Sequence, residues 1–249
     1  IKDNSGTIVR QIFKKASKGI HRTNWNLKYM NTGSVKLKKD KFNPTKNVGS
    51  GLPAIPGKYT VEMSIFINGA DSLLAEPVEF NAKVLNNSSL PPTDRKELDD
   101  FYKSVAKLWR VMDAGDDYFD ELVTRTAYIR QALQQTFGAT SAMKNQSKKL
   151  KEELDAIAFK FEGTPAKASW EEVPPEQMPL GNRFSNIIWA SWNSTAGPTA
   201  TQKMNYEILM EELPSMLEQL STIDGELKTL EAELDKLGAP HTPGRVPKF

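Results

Sequence analysis

The sequence contains no cysteine, and this absence excludes several kinds of site. A disulfide scaffold, a thiolate metal centre and a cysteine nucleophile are all ruled out. Its two histidines, His21 and His241, cannot form a histidine-rich zinc site, and they argue against a Ser-His-Asp triad. The phosphate-loop and dinucleotide-binding patterns are also missing. We therefore predict neither a metal nor a cofactor.

Long hydrophobic runs are missing as well. No segment approaches the roughly 18 apolar residues of a membrane-spanning helix, so we predict no membrane span. The chain begins with Ile1, and nothing near it is typical of a signal peptide. We expect this sequence to be a piece of a longer protein.

Charge and sequence texture both change near residue 92 of the 249. Residues 1–92 carry 14 Lys and Arg against 6 Asp and Glu, whereas the remainder carries 19 against 25. Short β-branched segments broken by Gly and Pro come before Pro91-Pro92, and long segments of helical spacing follow. The sequence predicts an α+β protein with an Ig-like or fibronectin-like β-sandwich over residues 1–91. An antiparallel helical bundle with a C-terminal tail is predicted over residues 92–249.

Alternation of large and small residues predicts the strands. The candidates are residues 7–13, 20–29, 58–66, 72–74 and 78–84, with a hairpin turn at 14–19 and a long loop at 33–56. Asn68-Gly69 is a strong signal for a second hairpin turn. Trp25 and Tyr59 are large members of apolar strand faces, so we expect both to be largely buried.

Helical periodicity governs the second part. We predict helices over residues 94–137, capped by Thr93 and ended by Gly138, and over 139–161. A proline-rich loop, a short helix at 183–192 and a last helix starting at Pro198 follow.

The last helix has the most regular stripe, in steps that alternate between four and three residues. Its members are Leu209, Leu213, Met216, Leu220, Ile223, Leu227, Leu230, Leu234 and Leu237. Such a heptad stripe suits either a bundle core or an intermolecular coiled coil. Three other amphipathic helices stand ready as partners, so we expect packing within one chain and a monomer.

Four carboxylate pairs are the main candidates for chemistry. They are Asp99-Asp100, Asp116-Asp117, Asp120-Glu121 and Glu171-Glu172. Paired carboxylates serve glycoside hydrolysis, but adjacent residues on a helix point in different directions. The acidic run at 113–120 lacks the spacing of a calcium loop. We predict no catalytic residue in this chain.

Lysines and tryptophans offer two further surfaces. The lysine cluster consists of Lys36, Lys38, Lys39, Lys41 and Lys46. It has few aromatic neighbours and the second part of the chain is acidic, which favours a solvated loop or a docking surface for that acidic part over a nucleic-acid or anionic-lipid site. Exposed tryptophans stack on sugar rings, and Trp170 with Glu172 lies in an irregular loop. Trp189 and Trp192 are three residues apart, a spacing that core or inter-domain packing also produces. Carbohydrate contact by Trp170, Glu172, Trp189 and Trp192 is the less favoured alternative.

Five segments together resemble a known family. They are residues 19–27 (GIHRTNWNL), 56–61 (PGKYTV), 85–91 (LNNSSLP), 197–199 (GPT) with Gln202, and 237–245 (LGAPHTPGR). The set is similar to the C-terminal region of large bacterial proteins, common in Bacteroidetes, that begin with a sortilin-like, BNR-repeat β-propeller. These proteins are often labelled putative glycosyl hydrolases.

The resemblance implies a periplasmic or cell-surface protein whose ligand site lies in an upstream propeller. Eukaryotic sortilins follow the propeller with a cysteine-rich module, and this chain has no cysteine. The favoured hypothesis is a non-catalytic accessory region that packs on or spaces that propeller. The alternatives are a glycoside hydrolase part that supplies loop residues to a shared site, and a protein-interaction module that uses the heptad helix.

Overall fold

A computed structural model describes residues 1–37, 41–87, 89–173 and 175–247. Of Trp170, which lies within the third range, only the backbone is described. The protein is α+β, as predicted. Its strands are β1 (Lys2–Asp3), β2 (Lys28–Met30), β3 (Ser50–Pro53), β4 (Gly57–Ile67) and β5 (Ala70–Ala82). Its α-helices are α1 (Arg95–Gln135), α2 (Ser141–Glu162), α3 (Leu180–Asn193) and α4 (Ala200–Lys236). The change from strand to helix therefore falls between residues 82 and 95.

Two compact units make up the chain. Unit 1 contains residues 1–110 and 188–200, and unit 2 contains residues 111–187 and 201–249. The limits fall inside α1 and α3 and at the first residue of α4, so each unit has helical residues. That residues 1–91 form a domain of their own stays a prediction.

The hairpin of β4 and β5 confirms the strongest turn signal of the sequence. The two strands pair antiparallel from Gly57 with Ala82 to Ile67 with Ala70. Asn68 and Gly69 connect them with positive φ angles of 53° and 81°. Both central residues of a type I′ turn need positive φ, and Asn-Gly adopts it at low cost.

The two strand predictions before the hairpin, at residues 7–13 and 20–29, were mostly wrong. Residues 7–13 form only an isolated bridge between Ile8 and Lys2, and of residues 20–29 only the last two belong to β2. The predicted turn at 14–19 therefore joins no hairpin, and the predicted loop at 33–56 contains β3. Ile20 is fully exposed. An alternating segment forms a strand only where a neighbouring strand completes the hydrogen-bond ladder. Most of residues 7–13 and 20–29 has no such neighbour among the described residues.

Two small sheets result from this pairing in the described residues. One has the order β1-β4-β5, and the other pairs β2 with β3. An Ig-type sandwich needs about seven strands in two packed sheets. The α+β class is confirmed, and the Ig-like sandwich is not.

An aromatic cluster forms the core beside β4. Tyr59 is 2% exposed and stacks on Phe80 of β5, with ring centroids 5.9 Å apart. The Trp25 indole meets the Tyr59 ring edge-on at 5.1 Å, and its N–H donates to Lys28 O at 2.8 Å. Burial of Tyr59 was predicted correctly, whereas Trp25 is only half-buried.

Helix ends follow local hydrogen-bond chemistry. Asp94, and not the predicted Thr93, caps α1, because its Oδ1 accepts from Lys96 N at 2.7 Å. Thr140 Oγ1 accepts from Met143 N at the start of α2. The last helix begins at Ala200, so Pro198 lies outside it and not in its first turn as predicted. The helix continues through Pro214.

The apolar stripe of α4 is buried as predicted, except at its last member. Every stripe residue from Leu209 to Leu234 is at most 5% exposed, whereas Leu237, just beyond the helix, is 40% exposed. In unit 2 these residues meet apolar residues of α1 and α2. Phe119 and Ile157 line one cavity together with Leu220.

Helix direction in unit 2 alternates along the chain. Arg125 of α1 contacts Asp224 of α4, and a Cβ on Gly115 would lie 3.3 Å from the Leu217 side chain, so α1 and α4 run parallel. Helix α2 runs antiparallel to α4, because Gln146 meets Glu226 and Lys160 meets Glu212. The chain reverses twice between α1 and α4, so α2 runs antiparallel to both of them.

The C-terminal tail is fixed to α4. Arg245 Nη1 lies 2.7 Å from Asp235 Oδ1, and Arg245 Nε donates to Thr242 Oγ1 at 2.9 Å. The Arg245 side chain is only 5% exposed. Over the described residues, no helix combines the length and hydropathy needed to cross a membrane.

Candidate functional site

Three tryptophans and a lysine form an aromatic surface in unit 1. Trp189 and Trp192 project from α3 one turn apart, and Trp109 belongs to α1. The rings of Trp109 and Trp192 lie 5.6 Å apart at 57°, and Lys28 Nζ lies 5.7 Å from the Trp192 ring centroid. We name Lys28, Trp109, Trp189 and Trp192 the tryptophan surface.

Exposure distinguishes the members of the tryptophan surface. Trp189 is 68% exposed and Trp192 is 38% exposed. Trp189 is therefore not a core residue, which was one of the two interpretations favoured from its spacing; inter-domain packing stays a prediction. Trp192 is partly covered by Trp109 and by a cation–π contact. An exposed indole beside a partly fixed one is a geometry on which a flat apolar ring face can stack.

Hydrogen bonds to α1 hold the end of α3 in place. The Tyr102 hydroxyl lies 3.2 Å from both Ser191 O and Ser194 O. Asn193 Nδ2 donates to Trp189 O at 2.8 Å. These bonds satisfy carbonyl groups at the helix C-terminus and fix the backbone that carries Trp189 and Trp192.

The other two predicted carbohydrate residues lie in unit 2. Trp170 and Glu172 belong to a 3-10 helix, Trp170–Glu172. Glu172 is exposed, and the side chain of Trp170 lies outside the described part of the structure. The neighbouring Glu171 carboxylate accepts a hydrogen bond from Ser169.

A second cluster in unit 1 joins β2, β4 and α1 through tyrosines. The Tyr29 hydroxyl donates to Asp99 Oδ1 at 3.2 Å, and the Lys103 ammonium lies 2.7 Å from Asp99 Oδ2. The Tyr59 hydroxyl donates to Ile55 O at 2.5 Å. Asp99 is 9% exposed. We name Tyr29, Tyr59, Asp99 and Lys103 the tyrosine–aspartate cluster.

The protonation states of this cluster favour a structural role. Burial raises the pKa of Tyr29 far above its ordinary value, and burial also raises the pKa of Tyr59. The hydrogen bond to Asp99 raises the pKa of Lys103. Both phenols therefore stay protonated donors and the lysine stays charged at neutral pH. Neither the two phenols nor the Lys103 ammonium is therefore poised to act as a base or nucleophile near pH 7.

An ion cluster joins α1 and α4 in unit 2. Arg125 binds Glu231 through two nitrogens, at 3.2 Å from Nε and 3.0 Å from Nη2, and its Nη1 lies 2.5 Å from Asp224 Oδ1. Lys228 Nζ lies 2.7 Å from Asp224 Oδ2. The side chains of Arg125, Asp224 and Glu231 are only 14–16% exposed. We name Arg125, Asp224, Lys228 and Glu231 the arginine cluster.

The arginine cluster was missed from the sequence, although a signal was present. Arg125 lies between Leu122 and Ile129 on the apolar stripe of α1, where a charge needs a partner. Burial alone would raise the pKa of Asp224, but hydrogen bonds from Lys228, Arg125 and Tyr118 outweigh it and hold the pKa below its ordinary value. A carboxylate that stays ionised is no general acid at neutral pH.

The remaining carboxylate pairs do not form an acidic centre. Asp116 borders, with Glu162, a cavity of about 20 Å³ in unit 2, which holds about one water molecule and no sugar ring. Asp100 forms an ion pair with Lys96 on the helix surface. In the described parts of the chain, no group of three or more His, Asp or Glu side chains is arranged to hold a metal ion.

The predicted lysine surface lies mostly in exposed chain. Lys36, Lys41 and Lys46 are exposed, and Lys46 Nζ donates to Lys36 O at 2.9 Å. Lys38 and Lys39 lie outside the described residues. The described lysines accord with a solvated loop.

Comparison with models of protein families, with curated proteins and with solved structures found no match. The resemblance to the sortilin-like, BNR-repeat proteins thus stays a hypothesis from the sequence motifs alone.

Proposed function

We propose that this chain is a non-catalytic accessory region that packs on or spaces a β-propeller of the same polypeptide, in a periplasmic or cell-surface protein. The proposal follows the sequence resemblance to the C-terminal region of sortilin-like, BNR-repeat proteins. An Ig-like ancestry of the strand region belongs to the same proposal. No contact with nucleic acid or insertion into a membrane is part of it.

One observation carries this proposal, namely that three largely buried carboxylates already have cationic partners. Asp99 is held by Lys103, and Asp224 and Glu231 are held by Arg125. Ion-paired carboxylates of this kind stabilise a scaffold. The pKa of Asp224 is held below its ordinary value, whereas the acid of a glycoside hydrolase needs a carboxyl group of raised pKa. The single-water size of the cavity beside Asp116 supports the same reading.

An activity screen tests the non-catalytic part. We expect the purified chain to release no chromophore from a panel of aryl glycosides above the rate of buffer alone. Glu172→Gln is the informative variant, because Glu172 is exposed beside Trp170. Turnover by the native chain that Glu172→Gln abolishes would contradict the proposal.

The accessory part is tested by the gene itself. We expect the coding sequence upstream of Ile1 to encode BNR-type propeller repeats. We further expect the separately expressed propeller to bind this chain in calorimetry. A gene without such repeats would remove the proposed role, and a propeller that does not bind would remove the packing role and leave only that of a spacer.

Carbohydrate binding at the tryptophan surface is a second candidate function. The 68% exposure of Trp189 favours it, because a large indole exposed to this extent is available for stacking. We expect soluble oligosaccharides to quench tryptophan fluorescence and Trp189→Ala to weaken binding about ten-fold. Phe137→Ala is the matched control, since Phe137 is also exposed but lies in unit 2. Equal effects of the two variants would contradict this candidate.

The heptad-helix interaction module is the least supported alternative. It needs an available apolar stripe, and the stripe from Leu209 to Leu234 is already buried within the chain.

A further inference from the structure

Two irregular segments of unit 1 are joined where Asn47 binds the backbone of Phe13. The Asn47 Oδ1 accepts a hydrogen bond from Phe13 N at 2.6 Å, and the Asn47 Nδ2 donates to Phe13 O at 3.1 Å. One loop follows Phe13 over residues 14–22, and another precedes Asn47 over residues 41–46. We name residues 14–22 and 41–46 the basic loops.

Side-chain contacts with the backbone close the first basic loop. Lys14 Nζ donates to Arg22 O at 2.9 Å, which joins the two ends of the loop. Within the loop, His21 Nε2 lies 3.1 Å from both Ser17 Oγ and Ser17 O. The side chains that lie between these contacts are therefore presented by a loop of defined shape.

The cations of the basic loops are exposed and have no acidic partner among the described residues. They are Lys14, Lys15, Lys18, Arg22, Lys41 and Lys46. Elsewhere in unit 1, by contrast, Lys2 pairs with Glu62 and Lys58 pairs with Glu79. Residues 4–61 contain twelve Lys and Arg and only one acidic residue. The basic loops therefore present a local excess of positive charge.

Large apolar side chains stand among these cations. Ile20 follows Gly19, whose φ of 107° bends the first loop, and Ile20 is fully exposed. Phe42 of the second loop is 81% exposed, and Phe13, where the two segments meet, is 42% exposed. Single apolar residues scattered over a surface need no explanation. Three on one joined pair of basic segments form an amphiphilic surface.

This combination fits the chemistry of an anionic bilayer surface. Lysine and arginine near anionic headgroups each strengthen binding about five-fold. The boundary between headgroups and acyl chains accepts exposed apolar side chains. Nucleic acid would also attract the cations, but its bases stack on aromatic rings and offer little to an aliphatic side chain such as Ile20.

We propose that the basic loops dock this chain onto the surface of a membrane rich in anionic lipid. Their cations contact phosphate headgroups, while Ile20 and Phe42 enter the boundary beneath. The sequence favoured a solvated loop because neither the exposure of these two residues nor the contact that joins the loops is visible there. This peripheral binding goes beyond the accessory role and does not depend on it.

Sedimentation of the whole chain with vesicles tests the electrostatic part. We expect binding to phosphatidylcholine vesicles that contain about one third phosphatidylglycerol, at about 50 mM salt, and release at about 500 mM salt. Binding to vesicles of phosphatidylcholine alone should be at least about ten-fold weaker. The double variant Lys15→Glu, Lys18→Glu should weaken binding to the anionic vesicles at least about 25-fold.

The matched control reverses two exposed cations of unit 2. Lys144→Glu with Lys167→Glu changes the net charge equally and should weaken binding less than about three-fold. Circular dichroism checks that both double variants fold. A chain that does not bind the anionic vesicles, or equal losses from the two double variants, would overturn the proposal.

A dye at position 20 tests the apolar contact. Because the chain has no cysteine, Ile20→Cys and Leu85→Cys each provide a single labelling site. Leu85 is 85% exposed in unit 1 and lies outside the basic loops. The emission of a polarity-sensitive dye on the Ile20→Cys variant should shift to shorter wavelength on anionic vesicles, whereas on Leu85→Cys it should stay unchanged.

Two outcomes of this second test would also overturn the proposal. One is binding to the vesicles without a larger shift at position 20 than at position 85. The other is duplex DNA that binds the chain as tightly as the anionic vesicles at equal phosphate concentration, which would assign the basic loops to nucleic acid.

Discussion

The apolar residues of α4 and those of the β4–β5 hairpin have opposite fates. In unit 2, the α4 stripe from Leu209 to Leu234 is buried against the same unit. In unit 1, the apolar face of the hairpin beyond Tyr59 stays largely exposed, up to 63% at Met63. Both patterns can be recognised in the sequence.

The difference teaches what regular patterning can and cannot specify. A helix satisfies its own backbone hydrogen bonds, so a short turn brings its apolar stripe onto a neighbouring helix. A strand needs another strand for its backbone and a further layer for its side chains. In the described residues each strand of the hairpin has a partner strand, but no further layer covers its apolar face.

Truncation of Leu220 should have the largest effect. Leu220 is 0% exposed, so Leu220→Ala should lower the free energy of unfolding by about 3–4 kcal/mol. Leu237→Ala is the matched control, because Leu237 is 40% exposed and should cost under about 1 kcal/mol. Urea unfolding followed by circular dichroism measures both. Equal costs would mean that the stripe is not the core of unit 2.

The aromatic core of unit 1 should respond less strongly. Trp25 is half-buried but keeps edge contacts with Tyr59 and Phe80, at centroid distances of 5.1 and 6.1 Å. We expect Trp25→Ala to cost about 2 kcal/mol, below the 3–5 kcal/mol of a fully buried aromatic. Phe42→Ala, at a ring 81% exposed, should leave the urea midpoint unchanged. A Trp25→Ala variant with a native midpoint would contradict the assignment of a core to this cluster.

Removal of Arg125 tests the electrostatic link between α1 and α4. Arg125→Met should cost about 2 kcal/mol, because it leaves Asp224 and Glu231 without their shared cation at sites only 14% and 16% exposed. Lys148→Met removes one exposed pair, with Glu152, and should change stability by under about 0.5 kcal/mol. The same urea titration compares the two variants. A cost for Arg125→Met no larger than that of the control would show that the cluster adds nothing to unit 2.

The smallest effect is a pH dependence of unit 2. The pKa of Asp224 is held below its ordinary value in the folded chain, so the unfolded chain binds that proton at higher pH. The contribution of Asp224 is complete above about pH 5 and is lost as the pH falls through and below the ordinary value near 4. As the pH is lowered from about 5 to about 4, the urea midpoint should fall less steeply in Asp224→Asn than in the native chain. Parallel pH profiles would contradict the lowered pKa.

Helices were predicted from the sequence far better than strands. The buried faces of α1, α2 and α4 follow from spacing alone, because a stripe with a period of 3.6 has one energetically acceptable orientation. The errors lay at helix ends, where Asp94 and not Thr93 is the cap of α1. A cap depends on one side-chain hydrogen bond, which helical spacing does not reveal.

The candidate sites were mostly beyond sequence reasoning. Trp189 and Trp192 share a spacing, yet only the fold exposes one and packs the other against Trp109. The tyrosine–aspartate cluster joins Tyr29 to Asp99 across 70 residues, a pairing that no local pattern indicates. Arg125 on an apolar stripe was a readable signal that a buried ion partner was needed.

By itself, the sequence determined the helical stripes, the Asn68-Gly69 turn and the absence of thiol and histidine-cluster chemistry. Each of these depends only on residue type or on neighbours within a few positions. The tertiary structure decided which strand candidates found partners, which carboxylates met cations and which apolar face stayed exposed. These outcomes depend on contacts between residues distant in sequence, whose free energies exist only once the chain has folded.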